Sequence, residues 1–207
     1  MIVFCVLWVP FVYLLRRSIF GKGSSSGGVW ALIFGVVTAA VQFFLGDFIN
    51  PGGFGFSRVL FGFIDLICVP VLIPVFIYLI MLIFRRFSGE IDFCVFTLLW
   101  LIPAGCFRAL GWSSGNYAAS TLNDPILFIA VPVLWTALAV GVSFFISWII
   151  NSRYIIFKIA ASLCILILPP AAALSYWAFF SQQTYLGYGL LILVNIPFIL
   201  SLILRGR

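Results

Sequence analysis

The sequence predicts an all-α integral membrane protein, a bundle of seven transmembrane helices with six as the alternative count. Of its 207 residues, 65% are hydrophobic and 8% are charged, and the mean hydropathy is +1.29. Soluble domains carry about 25% charged residues, so the composition excludes that class. The apolar residues also form runs long enough to cross a bilayer as helices, which takes about 20 residues. We expect one transmembrane domain over residues 1–207.

The first apolar run covers residues 2–15 and ends at Arg16 and Arg17. A signal peptide places its charges before the apolar run and ends in a cleavage site of small residues, so this run does not resemble one. The run is short for a transmembrane helix, although long basic side chains can reach the interface and the bilayer can thin locally. The count is seven if this run crosses the membrane and six if it does not.

The second run covers residues 29–49 and follows a flexible loop rich in glycine and serine. Ala31, Gly35 and Ala39 recur every four residues within it. This spacing puts three small side chains on one face, which predicts close packing against another helix. Asp47 lies near the end of the run, and the Asn-Pro-Gly-Gly sequence at 50–53 predicts a turn.

The third run, residues 59–84, is long and contains both an acid and two prolines. Asp65 lies roughly 10 Å below the start of this helix, where a carboxylate costs about 2.5 to 3.5 kcal/mol unless it faces protein, water or a base. Pro70 and Pro74 follow at a spacing of one turn and predict a kink. Broken helices of this kind form the sites of many transporters. The alternative is an ordinary proline-containing helix with Asp65 paired near the interface.

The remaining runs cover residues 91–110, 125–150, 154–180 and 185–204. Asp124 precedes Pro125 and fits the cap position of a helix. Ala139, Ser143 and Ser147 form a second small-residue face. Four tryptophans near the ends of runs predict an aromatic belt at the membrane interfaces: Trp30, Trp112, Trp148 and Trp177.

Basic residues predict the orientation. With seven helices, nine of the eleven lysines and arginines lie on one side: Arg16, Arg17, Lys22, Arg85, Arg86, Arg153, Lys158, Arg205 and Arg207. Because basic loops stay in the cytoplasm, we expect the N-terminus outside the cell and the C-terminus in the cytoplasm. The membrane is expected to be a cell membrane, either inner or plasma. Omitting the first run leaves the other helices oriented as before.

This orientation places a candidate polar cluster in the outer half of the protein. Its predicted members are Asp65, Arg108, Arg58, Asp47, Asp124 and, from the polar loop at 111–124, Asn116. Arg108 is the favoured partner of Asp65, because Arg58 lies about two helical turns from that acid. A buried pair lowers the cost of each charge. The alternative is a solvated outer rim on which these charges do not meet.

No residues predict catalysis or metal binding. The sequence has no histidine, which excludes His-based triads, His-containing zinc motifs and His-ligated haem. Its five cysteines form no CxxC pair and lie in or beside apolar runs, where they act as small hydrophobic residues. We therefore expect no enzyme activity, metal or cofactor. The net charge of +6 comes from basic residues at the ends of apolar runs, so it reflects topology and not nucleic-acid binding.

Two functions fit these patterns. A transporter, or the membrane-embedded subunit of a transport system, is favoured by the acid in a proline-containing helix and by the polar outer loop. A non-catalytic assembly subunit of a larger membrane complex is favoured by the short loops and the two small-residue faces. We expect partners to be the lipid bilayer and other membrane subunits, and we favour transport.

Overall fold

The chain is all-helical over the residues that a computed structural model describes, which are 2–20, 26–49, 72–83, 93–113 and 124–204. These residues form seven helices: α1 (Ile2–Phe20), α2 (Ser26–Ile49), α3 (Ile73–Ile83), α4 (Phe93–Ser113), α5 (Asp124–Asn151), α6 (Ile155–Phe180) and α7 (Thr184–Leu204). The predicted all-α class is confirmed for this part of the chain.

Four of these helices are long and apolar enough to cross a membrane. They contain the stretches Phe93–Leu110, Ile129–Ile146, Ile155–Phe179 and Thr184–Ser201. Shorter apolar stretches, Val6–Leu15 and Gly28–Val41, belong to α1 and α2. The apolar helices indicate insertion into a membrane, as the composition predicts.

Helices α4 and α5 form the centre of the bundle. Of their apolar stretches, 61% and 78% of the residues are buried, against 22% in both α6 and α7. Helices α1, α2 and α3 pack on α4, whereas α6 and α7 pack on α5 and on each other. Helix α1 also contacts α5 and so bridges the two central helices.

The first small-residue face packs as predicted. Ala31, Gly35 and Ala39 are buried where α2 meets α4. A Cβ atom added to Gly35 would lie 2.5 Å from the carbonyl oxygen of Trp100 and 3.1 Å from its Cα. Glycine is therefore needed at this position because the two backbones almost touch.

Prolines lie inside five helices of the described part: Pro10, Pro103, Pro132, Pro169, Pro170 and Pro197. Such prolines are tolerated in a membrane because neighbouring helices and hydroxyl groups satisfy the freed backbone groups. Pro74 is buried in α3. Pro70 lies outside the described residues, so the kink stays a prediction.

A tight turn at Ser181–Gln183 joins α6 to α7. The N–H of Gln183 donates to the carbonyl of Ala178 (2.8 Å), and that of Gln182 to the carbonyl of Phe179 (3.2 Å). These are the two hydrogen bonds of a Schellman motif, whose left-handed position favours glycine. Gln182 occupies that position with φ of 62°. The turn therefore contains a strained residue where glycine would be relaxed.

Replacing Gln182 with glycine is expected to stabilise the protein by up to about 1 kcal/mol. A left-handed residue with a Cβ costs roughly 1–2 kcal/mol, and the extra chain entropy of glycine cancels about half of that gain. Thermal unfolding in mild detergent measures the effect. Gln182→Ala is the control, since alanine keeps the Cβ; equal stabilisation by alanine would contradict the strain argument.

Candidate functional site

Two side-chain contacts between helices, Arg108 with Trp135 and Trp8 with Thr136, lie where α1, α4 and α5 pack together. We call these four residues the central polar cluster. Arg108 of α4 is 9% exposed and Trp135 of α5 is 1% exposed. The Cζ atom of Arg108 lies 5.9 Å from the centroid of the Trp135 ring. A guanidinium group therefore lies over an aromatic ring inside the bundle.

The position of Arg108 explains how the membrane accommodates its charge. Arg108 lies close to one end of the apolar stretch Phe93–Leu110. The arginine head group is more weakly hydrated than that of lysine and can stack flat on an aromatic ring. A cation over tryptophan contributes about 2 kcal/mol or more when water is excluded. Trp135 thus stabilises a positive charge that hydrocarbon would disfavour.

A hydrogen bond between Trp8 and Thr136 joins the other half of the cluster. The indole N–H of Trp8 donates to Oγ1 of Thr136 over 3.0 Å. Oγ1 is also 3.2 Å from the carbonyl oxygen of Pro132 and 3.0 Å from that of Val133, and its hydroxyl can donate to either. Thr136 therefore accepts from one helix while donating within its own, which connects α1 to α5.

Replacing Thr136 with valine is expected to destabilise the protein by about 1 kcal/mol. The substitution preserves the shape but leaves the partly buried Trp8 N–H without its acceptor, and hydrogen bonds between membrane helices average about 0.6 kcal/mol. A double-mutant cycle with Trp8→Phe measures the coupling. Thr38→Val is the matched control, because the Thr38 hydroxyl donates to the carbonyl of Phe34 in its own helix over 2.8 Å. Equal losses at Thr136 and Thr38 would contradict an interhelical role.

Among the predicted site residues, the structure describes the side chains of Arg108 and Pro74. Asp47 lies in α2 and Asp124 begins α5, but their side chains are outside the described part. Arg58, Asp65, Asn116 and Pro70 lie outside the described residues altogether. Pairing of Asp65 with Arg108 or Arg58 therefore stays a prediction.

Sequence reasoning did not identify Trp8, Trp135 or Thr136. The tryptophan positions could have indicated these residues, because the chain has seven tryptophans and only four of them belong to the predicted aromatic belt. The other three, Trp8, Trp100 and Trp135, lie far from the ends of the apolar runs. A tryptophan there cannot reach the interface with its N–H and usually finds a partner inside the protein.

The described tryptophans divide in this way. Trp30, Trp148 and Trp177 lie near helix ends and are exposed, as an interfacial belt requires, whereas Trp100 and Trp135 are fully buried. The side chain of Trp112 is outside the described part. Within the described ranges, no group of three or more His, Cys, Asp and Glu residues could hold a metal ion.

Comparisons with known proteins assign no family to the chain: no family model, curated protein or solved structure matches it. The central polar cluster is therefore interpreted from its own chemistry, which is a buried positive charge and interhelical hydrogen bonding among membrane helices.

Proposed function

We propose that the chain is a multi-pass membrane protein that acts as a transporter or as the membrane-embedded subunit of a transport system. The observation that carries this proposal is the burial of Arg108 against Trp135 at the centre of the helix bundle. Charged residues inside membrane helices are costly and typically mark the paths of substrates or ions. The proposal assigns the protein no enzymatic activity.

The prolines of α1, α4, α5, α6 and α7 add support to a transport role. Each removes one backbone hydrogen-bond donor from its helix, and the sites of many transporters are formed by helices that are interrupted within the membrane. In our proposal Asp65 pairs with Arg108 or Arg58. Asp47, Asp124 and Asn116 complete an outward-facing polar site with these residues.

An assembly subunit of a larger membrane complex is the second candidate. It is supported by the short loops and by two small-residue faces on which a partner helix could pack. Gly35 and its neighbours on α2 are covered by α4, and Ala139 and Ser143 of α5 are also buried. Packing within the chain therefore accounts for these residues, and transport is the better supported function.

We further propose seven transmembrane helices, with the N-terminus outside and the C-terminus in the cytoplasm of an inner or plasma membrane. Helix α1 has 19 residues. Its part before Arg16 extends about 21 Å, and the reach of the basic side chains with local thinning of the bilayer covers the difference from the roughly 30 Å hydrocarbon core. Val9 and Val12 of this helix are fully buried, and α1 packs on both central helices. This packing supports α1 as a crossing helix.

Cysteines introduced at Ser24 and Ser114 of a cysteine-free chain are expected to react from opposite sides of the membrane. An impermeant thiol reagent added to intact cells should label Ser114→Cys and should label Ser24→Cys only after the cells are opened. This result is expected because most basic residues lie on the same side as Ser24, and that side stays in the cytoplasm. Labelling of both positions in intact cells would contradict the orientation.

Water access to Asp65 tests the transport proposal itself. In a cysteine-free chain reconstituted in liposomes, a small water-soluble thiol reagent should modify Asp65→Cys. Ala137→Cys is the control that should not react, because Ala137 is fully buried in α5.

Purification in mild detergent then identifies companion proteins, and an ATPase among them would support a transport subunit. Unreactive Asp65→Cys together with recovery in a non-transport complex would favour the assembly function.

A further inference from the structure

Cationic and aromatic side chains gather where α5 turns into α6. We call this group the α5–α6 corner: Trp148, Arg153, Tyr154, Phe157 and Lys158. Hydrogen bonds order the turn, since the Ser152 N–H donates to the carbonyl of Trp148 (2.9 Å) and the Tyr154 N–H to the Ser152 hydroxyl (3.3 Å). Arg153 is exposed and Lys158 is partly exposed. The corner therefore presents two cations from an ordered turn.

Aromatic rings set the depth of the corner in the membrane. The Phe157 ring lies 6.2 Å from that of Trp148 and 6.0 Å from that of Tyr154, measured between centroids. Tyr154 is 70% exposed. Exposed tryptophan and tyrosine side chains lie at the level of the lipid headgroups. The flanking Arg153 and Lys158 therefore lie at the level of the lipid phosphates, which their long side chains can reach.

An exposed apolar stripe begins between the two cations and runs along α6 past Lys158. Ile155, Ile159, Leu163 and Leu166 follow one another at helical spacing and are all more than half exposed. This spacing places the side chains on one face of the helix, over a length of about 16 Å. The corner thus combines positive charge at the headgroup level with an apolar surface directed into the hydrocarbon.

We propose that the α5–α6 corner binds an anionic phospholipid. Arg153 and Lys158 contact the headgroup phosphate, and an acyl chain lies along the apolar stripe of α6. Charge complementarity favours an anionic lipid over a zwitterionic one, and each basic residue near an anionic membrane surface contributes about fivefold in affinity. The apolar stripe favours a lipid over a free phosphate, because a free phosphate has no acyl chain to contact the stripe. This inference is independent of the transport proposal.

Quenching of Trp148 fluorescence by brominated lipid tests the proposal. The full chain in mild non-ionic detergent is titrated with phosphatidylglycerol that carries brominated acyl chains, and subtracting the signal of Trp148→Phe isolates Trp148. Arg153→Gln/Lys158→Gln should raise the half-quenching concentration roughly 25-fold, as expected for two basic residues. The charge-conserving Arg153→Lys/Lys158→Arg variant and Arg17→Gln, which removes an exposed cation elsewhere, should stay within about twofold of the parent.

Several results would overturn the proposal. Equal half-quenching concentrations for the parent and the doubly neutralised variant would exclude a role for the cations. Equal quenching by brominated phosphatidylcholine would exclude selectivity for anionic lipid. Displacement of the lipid by soluble glycerol phosphate at similar concentrations would show that the corner takes free phosphate. If the double variant does not fold, the two single variants should each show an increase of about fivefold.

Discussion

Replacing Trp135 with alanine is expected to destabilise the protein by about 3–5 kcal/mol, the usual cost of truncating a buried aromatic residue. Trp135 is 1% exposed and belongs to the main core of the bundle. In a membrane, helices associate chiefly through close packing and hydrogen bonding, because lipid is as apolar as the side chains. The substitution therefore leaves a large cavity beside α4, where packing is lost and not replaced. It also removes the ring under Arg108.

The loss is measured as the free energy of unfolding in mixed micelles of mild and denaturing detergent. Trp177→Ala is the matched control, since Trp177 is 42% exposed near the end of α6. Trp177→Ala should lower the free energy of unfolding by less than about 1 kcal/mol, because removing a half-exposed side chain leaves little cavity. Equal losses at the two positions would contradict the central place of Trp135 in the core. Trp135→Phe should fall between them, since it keeps most of the volume and a ring.

Replacing Gly35 with alanine is expected to destabilise the protein by about 2–3 kcal/mol, although alanine normally favours a helix over glycine by about 1 kcal/mol. The added Cβ would lie 2.5 Å from a backbone oxygen of Trp100. A backbone atom cannot rotate away as a side chain can, so α2 and α4 must move apart where Gly35 meets Trp100. The reversal of sign is the mark of close helix approach.

Gly189→Ala is the matched control for this experiment. Gly189 also lies in a helix, α7, but a Cβ added there meets no atom within 4 Å. Alanine at this position should leave stability unchanged or raise it by up to about 1 kcal/mol. The same detergent unfolding assay gives both values. A neutral or stabilising Gly35→Ala would refute the close packing of α2 on α4.

The helices could be placed from the sequence, but their ends could be placed less well. The run predicted at 2–15 stops at Arg16 and Arg17, whereas α1 continues to Phe20. Arginine is a good helix former, so charge marks where a helix leaves the hydrocarbon and not where it ends. Helix α4 also extends beyond the predicted end at 110, to Ser113, through the first residues of the sequence expected to form the polar loop.

The candidate site was predictable only in part. Arg108 stood out because a charge within an apolar run is conspicuous in the sequence. Its position over Trp135 was not predictable, because the two residues belong to different helices and nothing in either run identifies the other. The hydrogen bond from Trp8 to Thr136 joins residues 128 positions apart. Sequence could indicate that Trp8 needed an acceptor, but not which residue would supply it.

The sequence by itself indicated the membrane class, the all-helical fold, the small-residue face of α2 and the exposed tryptophans near helix ends. Each of these follows from hydropathy or from spacing within one helix. Only the tertiary structure decided that Gly35 meets Trp100, that α4 and α5 form the centre, and that Arg108 lies over Trp135. The physical reason is that apolar helix surfaces resemble one another and resemble lipid, so shape complementarity between helices selects the partners.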